Sequence, residues 1–213
     1  MIILPTIYRP DSLKRFVTTY NQTGATLPVW VMLDHSNAWH YKDIELPEHF
    51  RTIKVSAGAR IGDIFNVVFK HYPNEDFYGI IADDVVPETF RWDILLREAC
   101  LPDRMAWGLD GGHDETLPRH PFIGGDLVRR LGFLSVPGLK HWYVDNAWRD
   151  IALGLQCGEY RPEIRMTHRH FTNGKAQKDR TYIEQPDHRA DEITYKIWLE
   201  KEFPKLMERL RKP

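Results

Sequence analysis

The sequence contains little of what would mark a disulfide-stabilised, zinc-finger or membrane-spanning protein. Its 213 residues include only two cysteines, Cys100 and Cys157, which lack the close spacing of zinc ligands. We expect both to be free thiols in a reducing compartment. No apolar stretch approaches the roughly 18 residues of a transmembrane helix. The opening apolar run stops at Pro5, too early for a signal peptide.

An excess of charge of one sign is also lacking. The 29 basic and 30 acidic residues give a net charge of −1 at pH 7, so no overall field favours nucleic acid or a membrane surface as a partner. The sequence has no internal repeats. Its hydrophobic residues (42%) and aromatic residues (12%) suffice for one packed core. We expect a cytoplasmic protein that does not insert into membranes.

Apolar runs alternate with amphipathic runs through the first hundred residues. The continuous apolar runs, typical of buried strands, are 2–4, 29–33 and 77–82, with a weaker one at 51–55. The amphipathic runs, which have helical spacing, are 12–21, 61–72 and 88–100. This order predicts an α/β fold: a Rossmann-like domain whose mixed, mostly parallel central sheet is covered by helices on both faces.

The second half predicts a strand at 105–109, helices at 126–131 and 144–155, and a basic segment at 161–178. Its last amphipathic run, 190–212, contains Pro204, which we expect to interrupt a helix. The apolar residues expected to pack this run on the body are Ile193, Ile197, Leu206 and Leu210. We therefore divide the chain into one domain, 1–185, and a C-terminal helical extension, 186–213, packed on that domain.

Polar residues follow the predicted strands where ligands of parallel sheets bind, beyond the carboxyl ends. They are Thr6 to Arg9, Asp34, Gly58 to Arg60, and the pair Asp83 and Asp84. Because the carboxyl ends of parallel strands share one edge, we expect these residues to line one site.

Asp83 and Asp84 are candidate metal ligands. Adjacent carboxylates at the end of a buried strand repel each other, and a Mg²⁺ or Mn²⁺ ion that also binds substrate phosphates would remove that cost. Since successive side chains of a strand point to opposite faces, one Asp can bind the ion while the other contacts a ribose hydroxyl or orients the loop. The alternative is an acidic turn that caps the next helix.

His168 and His170 stand two residues apart, which puts both rings on one face of an extended segment. Either ring can complete a metal site; a solvated basic loop is the alternative.

Asp145 follows the aromatic pair Trp142 and Tyr143 at the start of a predicted helix. Such an Asp is commonly a helix cap. Its aromatic surroundings would instead raise its pKa and suit it to deprotonate an acceptor hydroxyl. Trp142 offers a face for stacking a sugar or base, unless it belongs to the core. Asp34 is either a loop cap or an acceptor for a nucleobase hydrogen bond.

In this order, the features resemble GT-A-fold glycosyltransferases, near family 2. Thr6 to Arg9 resembles the family's opening loop, which touches the nucleoside, and Asp34 falls where an acidic residue reads the base. Arg60 ends a segment similar to the one that lies along the donor. Asp83 and Asp84 stand at the Asp-x-Asp position. The resemblance thus implies that Asp83 contacts the ribose or the metal, and that Asp84 binds the metal.

The same resemblance extends to the acceptor side. Gly124 and Gly125 match the family's small-residue acceptor loop, and Asp145 matches the catalytic base of inverting members. His168 or His170 matches a late histidine that completes the metal shell. The sequence departs from the family before Asp145, where Val144 replaces an acidic residue.

The resemblance covers about residues 1–185 and implies a metal-dependent enzyme. It would move a sugar from a nucleotide sugar, a UDP-sugar above all, to an acceptor hydroxyl with inversion, and its cofactor would be Mn²⁺ or Mg²⁺. Small cytoplasmic members from phages and bacteria look similar in length, so the implied compartment is the cytoplasm, that of the host if a phage encodes the protein. A modified DNA base and a glycan are the acceptor options.

Two other functions remain open. One is nucleotidyl transfer, although the sequence lacks a Gly-rich phosphate loop followed by Lys. The other is a non-catalytic module that binds a sugar or nucleic acid on the same fold.

Overall fold

One mixed sheet runs through the computed structural model, which describes residues 1–111, 115–171, 174–184 and 187–211. Its eight strands are β1 Ile2–Thr6, β2 Val29–Asp34, β3 Phe50–Val55, β4 Phe77–Ile80, β5 Val85–Pro87, β6 Met105–Leu109, β7 Phe122–Gly124 and β8 Gly158–His168. Their order across the sheet is β3-β2-β1-β4-β7-β6-β8-β5. The sheet is curled, and most of its strands run in the same direction.

Helices cover the sheet. They are α1 Pro10–Gln22, α2 Ile61–His71, α3 Trp92–Cys100, α4 Gly125–Leu131, α5 Val144–Leu155, α6 Arg180–Ile183, α7 His188–Ile197 and α8 Phe203–Arg211. Together with the sheet they form the α/β, Rossmann-like domain that the sequence predicts. Cys100 and Cys157 are free thiols, also as predicted.

Alternation along the strands sorts the core into two layers. In β1, Ile2 and Leu4 pack with α1 and α3 on one face, whereas Ile3 between them packs with α2, α4 and α5 on the other. A sheet with apolar side chains on both faces must be covered on both, which explains why the first-half strands are continuous apolar runs.

Because of the strand directions, the strand ends that carry the candidate polar residues lie at one edge of the sheet. β1, β2, β3 and β4 are mutually parallel, β6 is parallel to β8, and β7 is antiparallel to both β4 and β6. The carboxyl ends of β1, β2, β4, β6 and β8 therefore meet the amino end of β7. We call this the carboxyl edge.

Strand β8 occupies much of the segment that the sequence indicates only as basic. Ile164 and Met166 are buried, whereas Glu163 and Arg165 between and before them are exposed. This is the alternation of a strand with one solvated face. The charged residues obscure it in the sequence.

The C-terminal segment is helical throughout its described part. A π-helical turn, Trp198–Glu202, joins α7 to α8. Pro204 lies within α8, so the prediction that it interrupts the helix is wrong. The wider turn accommodates a residue that cannot donate a backbone hydrogen bond. The domain boundary expected at residues 185 and 186, and the end expected at residue 212, lie outside the described residues.

Two of the four residues predicted to pack this segment on the body are buried, and two are exposed. Leu206 and Leu210 are buried against the body, but Ile193 and Ile197 are exposed. Tyr195, Trp198 and Met207 fill the core instead. The π-helical turn shifts the register of the buried stripe, so regular helical spacing does not locate it.

In the part of the chain that the structure describes, no helix has the length and apolarity needed to cross a bilayer.

The core of α1 provides a test of the packing. Leu13 is 1% exposed, and we expect Leu13→Ala to lower the free energy of unfolding by about 2–5 kcal/mol because it removes buried methyl groups and leaves a cavity. Leu153, 65% exposed on α5, is the matched control, and Leu153→Ala should change that free energy by less than about 0.5 kcal/mol. Urea denaturation measures both; equal effects would contradict the assigned burial.

Candidate functional site

A cavity of about 1230 Å³ opens at the carboxyl edge. Four of the residues predicted to contact a donor line it: Thr6, Arg9, Asp34 and Arg60. The other predicted residues that line it are Asp83, Asp84, Trp142, Asp145, His168 and His170. The cavity thus brings the residues predicted from strand ends together with Trp142, Asp145 and the two histidines.

Gly124 and Gly125 lie elsewhere. Because β7 is antiparallel to β4, Gly124 pairs with Phe77 at the amino end of β4, opposite the carboxyl edge. A Cβ on Gly124 would stand 2.3 Å from the Pro102 carbonyl oxygen, so this glycine permits close backbone packing. The expectation that the two glycines form an acceptor loop at the cavity is wrong.

Asp83 is buried and held on both carboxylate oxygens. The Thr6 hydroxyl donates to Oδ2 at 2.6 Å, and the Arg9 guanidinium donates to Oδ1 at 3.2 Å. Burial and the neighbouring charge of Asp84 raise the pKa of Asp83, and Arg9 and Thr6 oppose that rise. Strand β5 follows the pair and α3 begins only at Trp92, so the two aspartates do not cap the next helix.

Arg9 links the acidic pair to a distant segment. Its Nη1 atom also donates to Asp84 Oδ2 at 3.0 Å, and its Nε atom donates to Asp179 at 2.7 Å. Thr181 donates to the Ile7 carbonyl oxygen at 2.9 Å, which fastens the same segment beside the loop after β1. Residues 179–181 therefore lie across the cavity mouth.

Asp84 faces a histidine that the sequence also selected. Its Oδ1 atom is 3.2 Å from His168 Nε2. His170 is the next ring along, with its centroid 5.3 Å from that of His168. His168 ends β8, so its ring lies at a strand terminus rather than in a solvated loop.

Two residues that the sequence did not select complete a cluster with His168. One potential ligand atom each from Asp110, His120 and His168 lies within 4.8 Å of the others. His120 is buried, and burial, with a smaller effect from His168, lowers its pKa to about 3, so its ring is neutral. His120 Nε2 has no hydrogen-bond partner among the described residues.

Strand direction explains this cluster. Asp110 follows β6 and His168 ends the parallel strand β8; the His168 backbone N–H donates to the Asp110 carbonyl oxygen at 2.7 Å. His120 precedes the antiparallel strand β7, whose beginning lies at the same edge. Asp110 could be predicted from its position after strand β6. His120 could not, because its place at this edge depends on the antiparallel pairing of β7.

Asp34 uses its carboxylate to join two loops. Oδ1 accepts a hydrogen bond from the Ser36 backbone N–H at 2.8 Å, and Oδ2 accepts one from the Gly58 N–H at 2.6 Å. Burial raises the pKa of Asp34, but these hydrogen bonds outweigh it, so the pKa is lowered. Asp34 thus fixes the turn that precedes Arg60.

Arg60 provides positive charge at the cavity wall. Its side chain is exposed and makes no ion pair or hydrogen bond with the described residues. Burial, with a smaller effect from Arg60, lowers the pKa of the nearby His141 to about 4. With His141 neutral, Arg60 is the cation available to an anionic ligand on this side.

Asp145 also lines the cavity, as does the exposed indole of Trp142. Tyr143 is the N-cap residue of α5, and Asp145 is the second residue of the helix. Its Oδ1 atom accepts from the Asn146 backbone N–H at 2.9 Å, so it does not act as the helix cap. Burial raises the pKa of Asp145, which favours a carboxylate that can take up a proton.

Hydrogen bonds to helix α7 hold the loop that precedes α5. The buried Asp191 of α7 accepts backbone hydrogen bonds from Lys140, His141 and Trp142 at 3.0, 2.8 and 2.8 Å. Helix α7 therefore positions the cavity wall that carries Trp142 and leads to Asp145. No local sequence pattern indicates this contact, since it joins residues about fifty positions apart.

No protein-family model matches this chain, and no curated protein has a significantly similar sequence.

Asp191→Asn tests the role of α7. The amide keeps the shape but replaces one accepting oxygen with an N–H₂ group, so we expect a loss of about 1–3 kcal/mol in the free energy of unfolding. Hydrogen exchange at the amides of 140–142 should accelerate more than exchange elsewhere. Glu192→Gln, at the half-buried neighbouring position whose carboxylate pairs with Lys196, is the control and should leave exchange at 140–142 unchanged. Unaltered exchange at 140–142 in Asp191→Asn would contradict the positioning role.

Proposed function

We propose that this protein is a metal-dependent glycosyltransferase that transfers a sugar from a nucleotide sugar to an acceptor hydroxyl. One observation carries the proposal: a single cavity is lined by the acidic pair and the histidines, by the cation Arg60, and by Asp145. A cavity of about 1230 Å³ has room for a nucleotide sugar and part of an acceptor.

The donor belongs at the strand ends. Arg60 is available to a diphosphate in the cavity that Asp83 and Asp84 also line, whereas Arg9 remains engaged by those two carboxylates. Asp83 is engaged by Thr6 and Arg9, so its role is to hold this wall and to meet a ribose hydroxyl. Asp84 and His168 are the side chains suited to hold a divalent ion.

When bound, such an ion would neutralise charge on the leaving diphosphate. His170, half-buried beside His168, completes this side of the cavity.

Asp145 would act on the acceptor. Its carboxylate takes the proton of the acceptor hydroxyl while that oxygen bonds to the anomeric carbon. The bond from that carbon to the diphosphate oxygen breaks, and the electron pair leaves with the nucleoside diphosphate. In-line attack on the face of that carbon opposite the leaving diphosphate gives inversion. Trp142 offers the acceptor an exposed aromatic face in the same cavity.

Ligand binding tests the donor class. We expect UDP-sugars together with Mn²⁺ to raise the melting temperature, because a ligand that binds only the folded state stabilises it. The screen should contain other nucleotide sugars, nucleoside triphosphates and each metal alone. Release of pyrophosphate from a triphosphate would indicate a nucleotidyltransferase. Binding of a nucleotide sugar with neither hydrolysis nor transfer would indicate a non-catalytic module.

Asp145→Asn tests the chemistry. Removal of the base should lower kcat by about 10²–10⁴-fold and leave donor affinity unchanged. Asp126→Asn is the control, because Asp126 lies on α4 away from the cavity and pairs with Arg129 at the surface. Full activity of Asp145→Asn, or equal loss of donor binding and turnover, would contradict the assignment.

A further inference from the structure

Asp110, His120 and His168 have the geometry of a ligand set. Ligand atoms around one ion, each about 2.1 Å from it, lie up to about 4 Å apart. The three candidate atoms are already within 4.8 Å of one another. Small side-chain rotations would therefore bring them to one ion without movement of the strands.

The state of His120 points to a ligand. The side chain is 6% exposed, and its Nε2 atom has no hydrogen-bond partner among the described residues. A buried polar atom without a partner destabilises the folded protein unless a ligand satisfies it. The neighbouring ring of His168, 4.9 Å away and edge-on, offers a second nitrogen on the same side.

The other members of the cluster are held in place. Arg119 Nη1 contacts both carboxylate oxygens of Asp110 at 3.1 and 3.0 Å, and a backbone hydrogen bond joins Asp110 to His168. A carboxylate has lone pairs for both an arginine and an ion. Such outer contacts orient metal ligands in proteins. Asp84 Oδ1, 3.2 Å from His168 Nε2, supplies a further oxygen at the border of the cluster.

We propose that Asp110, His120 and His168 bind a transition-metal ion directly, with Asp84 beside it. Two imidazoles and a carboxylate suit Mn²⁺, Fe²⁺, Co²⁺ or Zn²⁺, whereas Mg²⁺ prefers an all-oxygen shell and keeps several waters. This inference rests on the proposed function for the part that the ion plays in turnover. It goes further in two respects: Asp110 and His120 are ligands, and the protein holds the ion before the donor arrives.

The test uses the full-length protein and the metals alone. After removal of metal with a chelator, MnCl₂, CoCl₂, ZnCl₂ and MgCl₂ are titrated separately by calorimetry, and Co²⁺ is also followed by its visible absorption. We expect one ion per chain. Affinity should rise from Mn²⁺ to Co²⁺, and Mg²⁺ should bind at least about tenfold more weakly than Mn²⁺.

Two variants identify the ligands. His120→Gln and Asp110→Asn should each weaken Co²⁺ binding by more than about tenfold and change its absorption spectrum. His71→Gln, at the exposed end of α2, is the matched control and should bind Co²⁺ as the wild type does. If His120→Gln does not fold because His120 is buried, the result for Asp110→Asn, which preserves side-chain volume, tests the metal site.

Co²⁺ binding unaffected by these substitutions, or Mg²⁺ binding as tight as Co²⁺ binding, would overturn the inference. Its failure can be told from failure of the proposed function. Tight Co²⁺ binding without any response to nucleotide sugars would leave the metal site standing and remove the glycosyltransferase. Mg²⁺-supported sugar transfer that is insensitive to both substitutions would support the glycosyltransferase and remove the proposed metal site.

Discussion

Arg9 places one guanidinium among the carboxylates of Asp83, Asp84 and Asp179, and the carboxyl edge depends on this contact. Buried carboxylates this close together repel one another and lose their hydration, so they need a cation or a shared proton. Arg9 supplies the charge within the protein. It also joins three regions of the chain: the loop after β1, the end of β4 and the segment around residue 179. Arg9 therefore both neutralises these carboxylates and holds together the chain segments that border the cavity.

A second constraint is the direction of β7. Its antiparallel insertion between β4 and β6 turns a strand beginning toward the edge where the other strands end. This orientation moves His120 into the site and Gly124 out of it. A single reversed strand thus brings a second imidazole, rather than two glycines, to the edge that already carries His168.

Much of the carboxyl edge could be predicted because it depends on local patterns. Continuous apolar runs locate β1, β2 and β4, and the residues that follow them must share an edge once those strands are parallel. Asp110 and His120 could not be found in this way, since their positions depend on which strands pair and in which direction. Asp191 is harder still: a lone acidic residue in an amphipathic helix carries no local sign that it accepts three backbone hydrogen bonds from a distant loop.

The contact of Asp191 has a consequence for the order in which the protein matures. During synthesis, the strands that carry Asp83, Asp84 and His168 can pair before α7 leaves the ribosome. The loop at 140–142 obtains its anchor only when α7 docks. A nascent chain would thus complete its acidic and histidine base first and its Asp145 wall last.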